Sequence, residues 1–264
     1  MTRLVPTPAA FFLEINKPSN EPAAFLLAGG RETVWLAGLN AADFFALPPS
    51  LAAFAAYFSP DVPPWEWLRQ IGPALAEFHF DAPPPAWPPG VHAEGPLWIH
   101  PSVRLPSYAT LIGPAYIGAD TEIRPGAFVR GNVIVGERCV LGNACEYKNA
   151  LLMDHVATPH YNYVGDSVLG NDAHLGAGAI CSNFRLDHCE VSARVGDAVY
   201  PTGLRKFGAI MGDGAEVGCN AVLNPGTLLG RRALVAPAIA FGGYLPPGHV
   251  GRPRYAVFAE PRRD

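Results

Sequence analysis

The chain has 264 residues, of which 49% are hydrophobic and 16% are charged, and its formal net charge is -4. This composition is too apolar for a disordered chain and can fill a sizeable core. The absence of a basic excess argues against nucleic acid or an anionic membrane as the main partner. The five cysteines form no CxxC pair, and prolines interrupt any signal-peptide core, so we expect a soluble cytoplasmic protein without a membrane span.

Proline and glycine divide the chain into two parts. Of the 28 prolines many cluster before residue 90, whereas the 28 glycines dominate from about position 113 onward. We predict that residues 1–95 form a small α/β capping region with a proline-rich linker, because a solenoid needs its first coil covered. Within this region the segment Pro64–Phe78 is predicted to be a helix with proline in its first turn.

A large apolar residue then recurs every six positions. The series is Ile99, Leu105, Leu111, Ile117, Ile123, Val129, Val135, Leu141, Tyr147 and Met153, and after a phase shift Tyr163, Leu169, Leu175, Met211, Val217, Leu223, Leu229 and Val235. This period fits neither a helix nor an alternating strand, and it indicates short strands and turns that close one coil per three hexapeptides. We predict a mainly β fold, a left-handed parallel β-helix of about six coils over residues 96–245, with a C-terminal tail at 246–264.

The repeat is interrupted between Asn183 and Gly208. The intervening segment alternates valine with polar residues and lacks hexapeptide anchors, which predicts an inserted arm, 184–207, that projects from the prism. Long insertions in solenoids usually lie on a binding face. By contrast, Cys139 and Cys145 occupy small interior positions of the repeat, so we expect them to be packing residues.

Several motifs in the repeat region and at the end of the insertion carry polar side chains. They are Glu146-Tyr-Lys-Asn149, Pro159-His-Tyr-Asn-Tyr-Val-Gly-Asp166, Leu175-Gly-Ala-Gly-Ala179 with Asn183, and Thr202-Gly-Leu-Arg-Lys-Phe-Gly-Ala209. With the twelve-residue spacing from Lys148 to His160, they make residues 96–245 resemble the acetyltransferase half of the bifunctional N-acetylglucosamine-1-phosphate uridyltransferase / glucosamine-1-phosphate acetyltransferase family. The similarity is greatest to its archaeal-type sugar-1-phosphate nucleotidylyltransferase-acetyltransferases. It does not reach the family's uridyltransferase domain, which we expect to be absent.

The resemblance implies an active site and its chemistry. It makes His160 the general base that deprotonates the amine of an amino-sugar 1-phosphate, most simply glucosamine-1-phosphate, for direct attack on acetyl-CoA. It places Lys148, Tyr163 and Lys206 at the sugar phosphate and hydroxyls, and Asn183 at the sugar. The product would serve the synthesis of UDP-N-acetylglucosamine and cell-envelope precursors, and the family forms homotrimers.

The remaining assignments concern the phosphate and the acyl donor. The resemblance implies a phosphate-binding arginine one 18-residue coil before the lysine, which selects Arg130, whereas the local Arg-Pro-Gly motif selects Arg124; we prefer Arg130 because coil spacing decides what stacks beside Lys148. The resemblance implies that the backbone N–H of Ala177 and the side chain at Cys219 face acetyl-CoA. Cys219 replaces a serine of the family and His174 replaces an asparagine, so both depart from its pattern.

The residue types also suit this chemistry without the resemblance. Transfer to an amine needs a base that titrates near neutral pH, as imidazole does, and a sugar phosphate needs cations. The chain has only three lysines, Lys17, Lys148 and Lys206, against sixteen arginines, and two of the three lie in the candidate site.

Three other functions are alternatives to amino-sugar acetylation. Hexapeptide prisms also serve as acyltransferases for other sugars or nucleotide sugars. They also form γ-class carbonic anhydrases, whose H-x4-H spacing matches His155 and His160, but the third histidine is replaced by Ala119, so we expect no metal. A non-catalytic scaffold is disfavoured because His160 and both site lysines are present.

Overall fold

The computed structural model describes residues 39–81 and 86–253. Most of its short strands are parallel and wind around one elongated apolar core. The predicted parallel β-helix is therefore confirmed. The core consists of the repeat's large residues together with the small residues that follow them, such as Leu111 with Ala115 and Val129 with Val133.

The helices precede the strands in the described part of the chain. They are α1 (Ala41–Phe44) and α2 (Trp67–Glu77), with 3-10 turns at Pro49–Phe54 and Pro64–Glu66. None of the described helices is long and apolar enough to cross a bilayer. The strands are β1 (Gly90–Glu94), β2 (Leu97–Ile99), β3 (Tyr108–Ile112), β4 (Ala115–Ile117), β5 (Glu122–Ile123), β6 (Phe128–Arg130), β7 (Val133–Val135), β8 (Val140–Asn143), β9 (Glu146–Leu152), β10 (Ala157–His160), β11 (Tyr163–Leu169), β12 (His174–Leu175), β13 (Ile180–Cys181), β14 (Val191–Val195), β15 (Ala198–Leu204), β16 (Ala209–Met211), β17 (Glu216–Val217), β18 (Val222–Leu223), β19 (Thr227–Leu229), β20 (Leu234–Val235), β21 (Ala240–Phe241), β22 (Tyr244–Leu245) and β23 (Val250–Gly251).

The strands form the three faces of a prism. Face 1 contains β1, β3, β6, β13, β18 and β21, face 2 contains β2, β4, β7, β16, β19 and β22, and the long strands β9 and β11 run across both faces. Face 3 contains β5, β8, β10, β12, β17, β20 and β23. Eight strands follow one another in the order β1-β3-β6-β9-β11-β13-β18-β21, so the prism has eight coils instead of about six.

The phase shift in the repeat marks shortened coils. Paired residues in the first coils are 18 positions apart, whereas Glu146 and Tyr163 are paired at a separation of 17. In these coils the core side chains are Leu152 and Val164, so the predicted anchors Met153 and Tyr163 were one position out. Tyr163 is consequently only half-buried and faces outward from the prism.

Each corner of the prism turns on a residue in the left-handed conformation. Asn149 (φ 47°) and Asp166 (φ 46°) turn the chain from face 1 to face 2, at the corner we call corner 1–2. His155 (φ 60°) lies at corner 2–3, and Tyr161 (φ 54°) and Gly178 (φ 72°) lie at corner 3–1. Asparagine and aspartate tolerate this conformation best among residues with a side chain. The single-residue turns at corner 1–2 account for the loss of one residue per coil.

The helical layer covers face 2. Its strands carry outward side chains that are fully buried although they lie outside the prism core: Ile134, Leu151, Val168, Ile210 and Leu228. Helix α2 packs against β7, β9 and β11, and the rings of Phe54 and Phe78 pack edge-on against Tyr116. Residues 39–81 contain no strand and cover a side of the prism, whereas we expected an α/β cap over the end of its first coil. Residues 90–94 form β1, which pairs with β3, so the prism begins before residue 96. Residues 1–38 lie outside the described part of the chain.

The insertion leaves and rejoins the prism at corner 1–2. Strands β14 and β15 form an antiparallel hairpin whose residues Val191, Ala193 and Val195 are buried. The guanidinium of Arg69 in α2 donates a hydrogen bond to the carbonyl of Thr202. The hairpin thus lies against the molecule, whereas the sequence suggested a projecting arm.

Candidate active site

Three of the predicted site residues stack along corner 3–1. The N–H of Gly178 donates to the carbonyl of His160 at 3.0 Å, and the N–H of Asn220 donates to the carbonyl of Ala177 at 2.8 Å. His160, Ala177 and Cys219 therefore occupy the same position in successive coils, about 4.8 Å apart per coil. We call these three residues the base column.

His160 ends strand β10 with an exposed side chain. Its backbone N–H donates to the Oδ1 of Asn162 at 3.3 Å. Within the described ranges its imidazole makes no hydrogen bond or ion pair, and the nearest ring is that of Tyr161, 6.5 Å away between centroids. Both ring nitrogens are thus available to a substrate.

The next residue of the base column presents its backbone. Ala177 is the second residue of a turn that the N–H of Ala179 closes on the carbonyl of Gly176 at 3.1 Å. The Ala177 N–H itself finds no hydrogen-bond acceptor in the part of the chain that the structure describes. A free N–H at this place can donate a hydrogen bond to an oxygen of a ligand.

A second group of predicted residues meets at corner 1–2, around the carboxylate of Asp166. The ammonium of Lys148 lies 3.1 Å from each of its oxygens, and the amide of Asn149 donates to Oδ1 at 3.0 Å. The amide of Asn183 donates to Oδ2 at 2.5 Å and to the hydroxyl of Tyr163 at 3.1 Å. These five residues form what we call the carboxylate cluster.

Asp166 is the residue that the sequence reasoning missed. It ends the motif at 159–166 but was not predicted to be a site residue. In the structure it is only 4% exposed and accepts hydrogen bonds from three neighbouring side chains. A signal was present in the sequence, because Asn149, Asp166 and Asn183 are spaced 17 residues apart. That spacing equals one shortened coil, so these side chains had to lie in one column.

Tyr163 lies on face 1, between corner 3–1, which carries the base column, and corner 1–2, which carries the carboxylate cluster. Burial, followed by the nearby carboxylates of Asp166 and Glu146, raises the pKa of its phenol. Since its oxygen accepts a hydrogen bond from Asn183, the phenolic O–H remains free to donate. A Cβ at Gly165 would come within 2.4 Å of this hydroxyl, so only glycine lets the ring lie over this strand.

The two candidate arginines lie on different faces. Arg130 follows Val129, which pairs with Tyr147, so Arg130 lies next to Lys148 along the first face. Its guanidinium is paired with the carboxylate of Glu146 at 2.5 Å. Arg124 lies beside face 3, where its Nε is 3.3 Å from the carboxylate of Glu122.

Lys206 follows the hairpin and is exposed. The next residue, Phe207, donates its N–H to the carbonyl of Asn183 at 3.0 Å, and Gly208 donates to the carbonyl of Asp166 at 2.8 Å. The insertion therefore returns Lys206 to the edge of the carboxylate cluster within the same chain. Among the described residues its ammonium forms no ion pair.

Two other histidines, His155 and His174, lie at corner 2–3 and on face 3. His155 is fixed by the guanidinium of Arg138 at 2.9 Å and by the carboxylate of Asp172 at 3.1 Å. His174 lies on β12 in face 3 and is half-buried. No group of three or more histidine, cysteine or acidic side chains suited to a metal ion occurs in residues 39–81 and 86–253.

The cysteines divide into two sets by burial. Burial raises the pKa of the Cys139 and Cys181 thiols to about 12 and raises that of Cys145 as well. Cys189 and Cys219 are exposed. The thiol of the base column is therefore one of the two accessible to reagents.

Comparison with known proteins shows the family to which this chain belongs. The family model described as the GMPPB C-terminal domain matches residues 111–234. The protein named "Putative uncharacterized acetyltransferase YaiX" of Escherichia coli K12 is 31% identical over 154 residues, which cover 52% of this chain and 67% of YaiX. The chain belongs to the hexapeptide-repeat acetyltransferase family.

Three other known proteins are also similar to this chain. The bifunctional protein GlmU of Methanococcus vannielii and the bifunctional sugar-1-phosphate nucleotidylyltransferase/acetyltransferase of Sulfurisphaera tokodaii are each 34% identical over 113 residues, or 43% of this chain. The matches cover 27% and 28% of those proteins, so the chain spans about a quarter of their length. A hexapeptide transferase family protein from Anaplasma phagocytophilum is 17% identical with a TM-score of 0.31, over 58% of this chain and 78% of its own.

Proposed function

We propose that this acetyltransferase transfers the acetyl group of acetyl-CoA to the amine of an amino-sugar 1-phosphate, with glucosamine-1-phosphate as its substrate. The observation that carries the proposal is the exposed imidazole of His160, free of partners in the described residues, directly beside the free N–H of Ala177. A base and an oxygen-binding N–H one coil apart are what amine acylation requires.

Direct transfer needs few protein groups. His160 takes a proton from the attacking amine as the amine nitrogen bonds to the thioester carbonyl carbon. The Ala177 N–H donates to the carbonyl oxygen as negative charge develops on it. The C–S bond then breaks, and CoA leaves as a thiolate that accepts the proton held by His160. No acyl-enzyme is required.

The cationic side chains around the carboxylate cluster have different roles in binding the sugar phosphate. The ammonium of Lys148 is offset by Asp166, and the guanidinium of Arg130 is offset by Glu146. Lys206 has no such partner among the described side chains, so it supplies the charge-assisted contact to the phosphate. Lys148, Tyr163 and Asn183 then hold sugar hydroxyls, while Arg130 adds a second donor once the substrate displaces Glu146.

The assembly proposed for the enzyme is a homotrimer. Face 2 is covered by the chain's own helices, so faces 1 and 3, which carry both columns, are the ones left for neighbouring copies. Lys206 of one chain would then also reach the His160 of its neighbour. Mixing Lys206→Ala chains with His160→Ala chains should restore activity if subunits exchange, whereas exchange without recovery would confine each site to one chain.

A second candidate substrate is a nucleotide-linked amino sugar. A cleft of about 550 Å³ lies beside Asn183, lined by residues that include Ser182, Phe184, Arg185 and Pro225. The ring of Phe184 can receive a base. The guanidinium of Arg185 is paired with the carboxylate of Asp187 in the cleft, and it can bind a diphosphate that displaces Asp187. The cleft therefore favours a nucleotide-linked amino sugar, and not a different free amino sugar, as the second candidate substrate.

A substrate panel with detection of free CoA thiol tests the proposal. Purified protein should release CoA with glucosamine-1-phosphate and less with galactosamine-1-phosphate or glucosamine. A clear preference for UDP-linked amino sugars would favour the second candidate. The absence of CoA release with every amino sugar would overturn both.

A further inference from the structure

One interior position of corner 3–1 changes character in the coil of His160. The equivalent position in neighbouring coils holds a small side chain: Ala127, Cys145, Ala179 and Ala221. In the coil of His160 it is occupied by Asn162, which is only 2% exposed. A buried amide is tolerated only where its polar atoms are hydrogen-bonded, so its partners indicate why it is there.

Those partners are the two turns of the base column. The amide nitrogen of Asn162 donates to the carbonyl of Gly176 at 2.7 Å and to that of Ala179 at 3.2 Å. These carbonyls begin and end the turn that contains Ala177. The amide oxygen accepts the backbone N–H of His160 at 3.3 Å. One side chain therefore ties the turn of His160 to the turn one coil further along the prism.

We infer that Asn162 is a positioning residue that fixes the separation between the His160 imidazole and the Ala177 N–H. The inference rests on the function proposed for those two residues. The attacking amine must lie between the base and the bound thioester, and a misplacement of about 1 Å can lower a rate by about 10²-fold. A backbone hydrogen bond from Gly178 to the carbonyl of His160 also joins the two turns, but among the described residues Asn162 is the one whose side chain bonds to both.

A matched control exists at another corner. Thr121 is fully buried, donates its hydroxyl to the carbonyl of Gly136 at 3.1 Å and accepts the N–H of Cys139 at 3.1 Å. Like Asn162 it joins neighbouring coils through a buried polar side chain, but it lies near corner 2–3, away from the base column. The variant Thr121→Ala therefore shows how much kcat falls when a purely structural hydrogen bond between coils is lost.

The first experiment compares Asn162→Ala with Thr121→Ala. Alanine occupies the equivalent positions at Ala179 and Ala173, so both variants should fold, which a thermal melt checks. Asn162→Ala should lower kcat by about 10- to 100-fold and change either KM by less than about threefold. Thr121→Ala should keep kcat within about threefold of the wild type. Equal losses in both variants would overturn the inference.

A double-mutant comparison asks whether Asn162 acts through His160. In a His160→Ala background, the further change Asn162→Ala should alter the residual rate by less than about threefold, because the base to be positioned is already gone. A multiplicative loss in the double variant would mean that Asn162 acts independently of His160, and would overturn the inference.

Amide hydrogen exchange without substrate separates this inference from the proposed function. Asn162→Ala should speed exchange in the turns 159–162 and 176–179 by about tenfold or more, whereas Thr121→Ala should leave both turns unchanged. Unchanged exchange in Asn162→Ala would overturn the positioning role even if the enzyme acetylates glucosamine-1-phosphate. A failed substrate panel with accelerated exchange would instead overturn the proposed function alone.

Discussion

The ammonium of Lys148 lies 3.1 Å from each carboxylate oxygen of Asp166, and the two residues belong to neighbouring coils of face 1 and corner 1–2. The two side chains differ in exposure: that of Lys148 is 28% exposed, whereas that of Asp166 is 6% exposed. The carboxylate is thus an internal support that fixes the ammonium and two amides at the edge of the proposed sugar site.

Asp166→Asn should destabilise the protein because Lys148 loses its counter-charge. We expect the free energy of unfolding to fall by about 1.5–3 kcal/mol, measured by denaturant titration. Asp172→Asn is the matched control, since the side chain of Asp172 is 68% exposed and, in the described part of the chain, pairs with His155 alone; it should change stability by less than about 0.5 kcal/mol. Similar losses in the two variants would remove the special role of Asp166.

Lys206→Ala should raise the KM for glucosamine-1-phosphate by about one to two decades and leave the KM for acetyl-CoA nearly unchanged. The reason is the loss of a charge-assisted contact to the phosphate, about 1.5–3 kcal/mol. Arg205→Ala removes the neighbouring exposed cation and is the control. If both variants raise the KM equally, general surface charge and not a specific contact binds the phosphate.

Much of the fold could be predicted because each coil repeats the same requirement, a large and a small side chain directed inward. The shortened coils could not be placed from that pattern alone, since Met153 and Leu152 are equally apolar neighbours. The choice between them depends on the one-residue turn at Asn149. The same ambiguity placed Tyr163 among the anchors of the repeat series, whereas Val164 fills the core.

The candidate site was predictable in part for a related reason. The resemblance selected side chains by motif, and the structure brings His160, Ala177 and Cys219 into one column and Lys148, Tyr163 and Asn183 into another cluster. Motifs do not show which groups neutralise each other, so the carboxylate of Asp166 escaped notice. The cover of face 2 depends on contacts between distant aromatic residues, which no local pattern in the sequence reveals.

Alkylation should test the place of Cys219 in the base column. Cys189 and Cys219 are exposed, whereas burial raises the pKa of the Cys139, Cys145 and Cys181 thiols and keeps them protonated at neutral pH. Iodoacetamide should therefore inactivate the enzyme through Cys219, and bound CoA should protect it. Cys219→Ser should abolish inactivation while Cys189→Ser should not; the reverse pattern would place the acyl donor elsewhere.

Tyr147→Phe should lower stability without changing the exposed site. The Tyr147 hydroxyl is fully buried, 2.6 Å from the hydroxyl of Thr158, and accepts the N–H of Gly142 at 3.1 Å. Removing it leaves a buried N–H unpaired, which costs about 1–3 kcal/mol of unfolding free energy. Tyr108→Phe, at a side chain 54% exposed, should cost less than about 0.5 kcal/mol. An equal stability for both variants would contradict the buried network.

The most direct test of the proposed chemistry is the steady-state rate of acetyl transfer to glucosamine-1-phosphate by His160→Ala. The variant lacks only an exposed imidazole, so a thermal melt should match that of the wild type. We expect kcat to fall by about 10²–10⁴-fold, the contribution of a positioned general base. An unchanged kcat in a folded variant would contradict the account, because no other described side chain in the base column could take the proton of the amine.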